Sequence, residues 1–90
     1  MHIKTWHVEL FIYEDGDETS ARAVLHSDSV RHPEGTGRTH RAPGDAVVPE
    51  IGDEVAAARA LRALADTLLG VAALDIEDIE HQPARLTFEG

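Results

Sequence analysis

Basic side chains cluster in one short part of this sequence, and they are its clearest candidates for chemistry. Guanidinium groups bind phosphate and carboxylate oxygens through several hydrogen bonds at once, so the cluster suits RNA or an acidic protein surface. The formal net charge of −9 argues against a protein that holds nucleic acid with its whole surface. Solubility, or pairing with carboxylates of the same chain or of a partner, is the alternative role. The candidate contact residues are Arg22, Arg31, Arg38, His40 and Arg41.

Metal and catalytic chemistry find little support in the spacing of the polar residues. The six histidines include no i, i+4 pair with a glutamate, and the chain has no cysteine. Gly35-Thr36-Gly37 is similar to a phosphate-binding loop but lacks the third glycine and the helix that should follow at once. A strand that needs small residues beneath a helix explains it better. We expect no catalytic residue, metal, cofactor or small-molecule substrate.

One long helix must position these residues, and the segment 48–54 starts it. Pro49 restrains the chain before the helix, and Asp53 or a neighbour can cap its free amide groups. Strong helix formers then run from Glu54 to Leu69, and Gly70 stands where a C-terminal cap is expected. The predicted core-facing stripe, at three- and four-residue spacing, consists of Val55, Ala58, Leu61, Leu64, Ala65 and Leu68.

The residues before this helix predict a three-stranded antiparallel sheet. Strict alternation over residues 3–13 indicates a strand, a turn follows at Asp15-Gly16, and a second strand occupies residues 19–27. A third, short or edge strand is predicted at about residues 36–42, because a sheet must be this wide to receive the helix. The side chains predicted to lie beneath the helix are Trp6, Val8, Leu10, Ile12, Ala21, Ala23 and Leu25.

The C-terminal part predicts smaller elements. Asp75 can cap a short second helix at residues 76–80, Pro83 ends it, and Leu86 and Phe88 form a brief strand or lie along the sheet edge. The whole chain, residues 1–90, is therefore interpreted as one α+β domain. No apolar run reaches membrane-spanning length, so we expect a cytoplasmic protein with no membrane partner.

Several motifs resemble a family of small uncharacterised actinobacterial proteins. They are the GTG run at 35–37, Pro43, Asp45, VPEIGDE at 48–54, AARAL at 57–61, DIE at 75–77 and HQPARL at 81–86. The resemblance implies a β-β-β-α fold like that of the double-stranded-RNA-binding domain. It also implies a link to hypoxia or dormancy, and one member is compared in shape with ribosome hibernation factors. The family supplies no catalytic residues.

These observations predict a non-enzymatic, stress-related protein that acts by association as a homodimer. A single helix covers one sheet face, so the other face and the sheet edges are open to a second copy. The acidic residues of 75–80 in one chain can then approach Arg38 and Arg41 of the other. The alternative is a ribosome- or RNA-binding protein that uses the basic cluster around Arg31, Arg38 and Arg41. The predicted dimer interface consists of Phe11, Tyr13, Val24, Leu86 and Phe88.

Overall fold

Three antiparallel strands are followed by one long helix in the computed structural model, which describes residues 1–80. The sheet order is β1-β2-β3, so β2 is central and the other two strands are edges. This arrangement confirms the predicted α+β fold. The strands are β1 (His7–Asp15), β2 (Glu18–His26) and β3 (Glu34–His40), and the helix is α1 (Pro49–Glu80).

The β1–β2 hairpin follows directly from the local sequence. Gly16 has φ of 60°, a value that suits glycine, and it turns the chain between Asp15 and Glu18 as predicted. β1 begins at His7 rather than at residue 3, because its partner strand ends at His26, directly opposite. Residues 3–6 therefore lack a neighbouring strand in the single chain.

The helix lies very close to β3, because two glycines form the surface beneath it. A Cβ atom built on Gly35 would lie 2.1 Å from the backbone nitrogen of Leu64, and one on Gly37 would lie 2.5 Å from that of Ala60. No side chain fits in that space. The predicted role of Gly35 and Gly37, as small residues in a strand beneath the helix, is confirmed, and so is the third strand, as an edge strand displaced by two residues.

The buried core is small and rich in alanine. The prediction that Ala21, Ala23 and Leu25 face the helix is confirmed, because all three are buried on the helix side of β2. Each helix residue in the core lies four positions from the next, and Leu68 packs against them from a partly buried position. The helix contributes Ala56, Ala60 and Leu64 to this core.

The predicted helix stripe is therefore only partly right. Leu64 and Leu68 face the core, but Ala58, Leu61 and Ala65 are exposed. Close contact with the glycines of β3 is the physical reason, since only alanine lets the two backbones approach to this distance. A stripe of larger side chains would lift the helix off the sheet.

Gly70 does not end the helix, and the prediction of a separate short helix is wrong. Residues 76–80 are the last part of the same 32-residue helix, so Asp75 lies within it rather than capping a new one. One glycine costs a helix about 1 kcal/mol relative to alanine, which is too little to stop a chain flanked by strong helix formers. The predicted final strand at Leu86 and Phe88 lies outside the described residues.

Arg41 fixes the connection between β3 and α1. Its side chain pairs with the carboxylate of Asp17 and donates a hydrogen bond to the carbonyl of Asp45 at 3.0 Å. Its backbone N–H also donates to the carbonyl of Asp17 at 2.8 Å. The hairpin turn, the end of β3 and the approach to the helix are thus joined at one residue.

Candidate association surface

The most prominent uncovered feature is an apolar stripe along the helix side of β1. Val8, Leu10 and Ile12 pair with Leu25, Ala23 and Ala21 respectively, and directly opposite residues of an antiparallel pair share a face. Their exposed fractions are nevertheless 44%, 40% and 42%. Trp6, which precedes the strand, is 49% exposed.

The prediction that these four residues are buried in the core is therefore wrong. The register does confirm that Val8, Leu10 and Ile12 face the helix side of the sheet. The helix packs over β2 and β3 and makes few contacts with β1. The glycines of β3 determine this position, because they allow the helix backbone to approach that strand most closely. The edge strand is left with apolar side chains that face the helix side of the sheet but are only partly covered by the helix. We call Val8, Leu10 and Ile12 the β1 stripe.

The opposite face of the sheet carries most of the residues predicted to bind a partner. Register places Phe11 opposite Arg22, and Tyr13 in line with Ser20 and Arg38. Tyr13 is 53% exposed, whereas Val24 is only 7% exposed despite facing outward. Val24 sits on the central strand between Glu9 and Glu34. In the single chain Val24 therefore offers little surface to a partner.

The predicted basic cluster does not form one surface. Arg22 pairs with Glu34 at 3.2 Å, and its guanidinium lies 4.8 Å from the centre of the Phe11 ring. Arg41 is engaged by Asp17 and Asp45 on the helix side, while Arg31 lies in the loop between β2 and β3. Only Arg22, Arg38 and His40 share the outer face, by strand alternation.

Acidic side chains meet at one end of the β1 stripe. Glu14 is the next helix-side residue after Ile12, and its carboxyl lies against Asp53, with Glu50 nearby in the first helical turn. A hydrogen bond to Asp53 and then charge repulsion from Asp53 raise the pKa of Glu14, with burial and Glu50 adding to the shift. The oxygen Oδ1 of Asp53 is shielded from solvent and has no partner in the described chain unless Glu14 carries a proton.

This arrangement favours positive charge at that end of the stripe. Because the pKa of Glu14 is raised in the folded chain, its contribution to stability is present at acidic pH and declines as the pH rises through the raised value. When Glu14 is ionised, its carboxylate is repelled by Asp53 and Glu50. A proton or a cationic side chain would relieve that repulsion.

Histidines gather at the other end of the sheet without forming a metal centre. His26 Nε2 lies 2.6 Å from Glu9 Oε1, and the rings of His26 and His32 are 4.9 Å apart. Within residues 1–80, no group of three His, Asp or Glu side chains is arranged to hold a metal ion. The same described range contains no helix long and apolar enough to cross a membrane.

The fold and surface define a small β-β-β-α protein with an alanine and glycine core and an open edge strand. A model of the Rv2632c-like family matches residues 4–85, and the chain belongs to this family. The curated relatives include the uncharacterized protein Mb1767 of Mycobacterium bovis, which is 41% identical over 86 residues, covering 96% of this chain and 90% of the relative. The uncharacterized protein Rv2632c of Mycobacterium tuberculosis is 41% identical over 80 residues, covering 89% and 85% respectively.

The crystal structure of Rv2632c has the same fold. It superposes with a TM-score of 0.81 at 40% identity, covering 92% of this chain and 98% of that one. The resemblance seen in the sequence is therefore confirmed as membership of a family of uncharacterised mycobacterial proteins. These relatives carry no assigned activity in their names.

Sequence reasoning identified the β1 stripe residues but assigned them to the core. One signal was available, because Gly35 and Gly37 place the closest helix contact on the strand farthest from β1. The acidic contact between Glu14 and Asp53 was missed. Those two residues lie far apart in sequence, and no local pattern connects the end of a strand to the second turn of a later helix.

Proposed function

We propose that the protein acts by association and that its working form is a homodimer joined through β1. The observation that carries this proposal is the β1 stripe, whose three apolar side chains face the helix side of the sheet and remain 40–44% exposed. Burial of apolar area contributes about 25 cal/mol per Å². A small domain that leaves such a stripe bare gains most from a partner that covers it.

The shape of β1 supports a second copy as that partner. An edge strand presents unpaired backbone N–H and C=O groups, and β1 has nine residues in strand conformation. Two copies related by a two-fold axis can pair these edges antiparallel, which places both helices on the same side of a six-stranded sheet. The two stripes then meet between the helices and shield one another from water.

We predict that Leu10→Glu weakens the dimer by at least about tenfold, because it places a charge in the apolar contact on both sides of the two-fold axis. Light scattering on the unmodified chain at micromolar concentration should give about twice the chain mass. The variant should give a mass near that of one chain under the same conditions.

Two control variants test whether the loss of the dimer is specific to the helix side of β1. Val30→Glu changes a 94% exposed residue in the β2–β3 loop and should leave the mass unchanged. Phe11→Glu adds the same charge one residue further along β1 but on the outer face, so its effect should be smaller than that of Leu10→Glu. A greater loss with Phe11→Glu would move the interface to the outer face, and an unmodified protein that stays monomeric would end the proposal.

We also propose that the protein works without catalysis, in the cytoplasm, in a stress- or dormancy-related role. The family resemblance supports the role, including the likeness to the double-stranded-RNA-binding fold and to ribosome hibernation factors. The partners of the charged residues support the absence of catalysis, since Arg41, Arg22 and His26 are all engaged in contacts between elements of the fold.

RNA binding is the alternative, and one observation favours it. Arg38 and Tyr13 lie in one cross-strand row of the outer face, where a guanidinium and an exposed aromatic ring suit a phosphate and a base. Glu9 and Glu34 lie on the same face, and their negative charge disfavours the binding of phosphate groups.

We expect no submicromolar binding of ribosomes or duplex RNA at physiological salt. If binding occurs, Arg38→Ala should lower the slope of log affinity against log salt by about one unit.

A further inference from the structure

Resting on the proposed dimer, we infer its register: Val8 lies opposite the partner's Leu10, Trp6 opposite the partner's Ile12, and Lys4 opposite the partner's Glu14. The partner thereby contributes a cation to the acidic contact of Glu14 and Asp53. The site is incomplete in the single chain and is completed twice in the dimer, once for each copy.

The first argument is the length of β1. Residues 3–13 alternate as a strand, yet the strand begins at His7 because β2 ends opposite it. A second β1 in this register extends beyond that point and gives residues 3–6 a neighbour in the partner's residues 12–15. In this segment Trp6 then extends the β1 stripe on the helix side, and Lys4 follows it on the same face.

The second argument is charge. Glu14 stands beside Asp53 and Glu50 at the end of the stripe, and one oxygen of Asp53 is shielded without a donor other than a protonated Glu14. Lys4 is the single lysine of the chain. Its ammonium lies 3.7 Å from Asp28, and the two side chains are 74% and 72% exposed, so this pair is weak and Lys4 can exchange partners.

Two alternative registers, both shifted toward the C-terminal end of β1, serve these residues less well. Shifting the strands by two residues puts Leu10 opposite itself and sets Trp6 against the partner's Glu14. A further shift puts Phe11 opposite itself and sets Val8 against Glu14. Each buries an apolar side chain beside an unneutralised carboxylate, which costs free energy. The inferred register instead places Glu9 opposite itself on the outer face, where the carboxylates are not beside the buried apolar stripe.

Single-cysteine cross-linking tests the register directly, because the natural chain contains no cysteine. Directly opposite residues of antiparallel strands have Cα atoms about 4.5–5.5 Å apart, within the range that a disulfide spans. Glu9→Cys should therefore form a disulfide-linked dimer fastest under mild oxidation. Leu10→Cys and Phe11→Cys report the two shifted registers, and Val30→Cys measures random collision.

A charge exchange tests the contribution of Lys4. Lys4→Glu alone and Glu14→Lys alone should each weaken dimerisation by about tenfold, because each places like charges together at two symmetric positions. The double variant should return the dissociation constant to within about threefold of the original. Sedimentation equilibrium measures all four proteins, and circular dichroism checks that each is folded.

The outcomes separate the register from the dimer itself. A dimeric protein that cross-links fastest through Leu10→Cys or Phe11→Cys overturns the register and leaves the proposed function standing. Single charge variants that weaken the dimer without recovery in the double variant overturn the Lys4 contact. Monomeric mass together with cross-linking no faster than that of Val30→Cys overturns both proposals.

Discussion

Gly35→Ala should destabilise the protein by about 3 kcal/mol or more, at the upper end of what an added methyl group costs in a packed core. The new Cβ atom would lie 2.1 Å from the backbone nitrogen of Leu64 and 2.4 Å from the carbonyl oxygen of Ala60. Both contacts are helix backbone, so no side-chain rotation relieves them and the whole helix must move. For a chain of 90 residues, whose total stability is about 5–13 kcal/mol, this is a large fraction.

Gly70→Ala is the matched control for this substitution. A Cβ atom there meets nothing within 4 Å, and the residue is in the interior of α1. Alanine should therefore stabilise the protein by about 0.5–1 kcal/mol through its better helix propensity. Urea denaturation monitored by circular dichroism measures both changes. If Gly35→Ala were as harmless as Gly70→Ala, the close contact between helix and β3 would be wrong.

Leu64→Ala should destabilise the protein by about 2–5 kcal/mol, as expected when a buried leucine leaves a cavity. Leu64 is 5% exposed and is the largest side chain that the helix contributes to the buried core. The core around it is rich in alanine, including Ala60 and Ala23, whose side chains are too small to fill the space left behind. Chemical denaturation gives the change in free energy of unfolding.

Arg62→Ala provides the comparison for Leu64 on the same helix. Arg62 is exposed and lies only two residues away, so its replacement should change stability by less than about 0.5 kcal/mol. Equal effects of the two substitutions would show that the helix presents a different face to the sheet.

Local sequence was a good guide to which way the side chains of β1 and β2 point. Alternation in β1 and β2 placed Val8, Leu10, Ala21 and Ala23 on one face, and the register confirms it. The pair Gly35 and Gly37 also predicted a strand beneath a helix. These inferences succeed because strand alternation and the space required by a Cβ atom are properties of the chain itself.

How much of β1 the helix buries could not be predicted from the local sequence. Whether Leu10 is buried depends on where the helix axis crosses the sheet, and that position results from the glycines of another strand. The end of the helix was missed for a similar reason, because the small cost of Gly70 is outweighed by helix formers on both sides. For the candidate surface, the apolar residues were identified but not their exposure.

The length of α1 determines how this molecule diffuses. At 1.5 Å per residue its 32 residues extend about 48 Å, and the molecule measures 54 × 28 × 24 Å along its principal axes. An elongated particle has more friction than a sphere of the same mass, so a single chain elutes from a sizing column earlier than its 9.8 kDa would suggest. Elution volume thus overstates the mass of a single chain, whereas sedimentation equilibrium depends on mass alone.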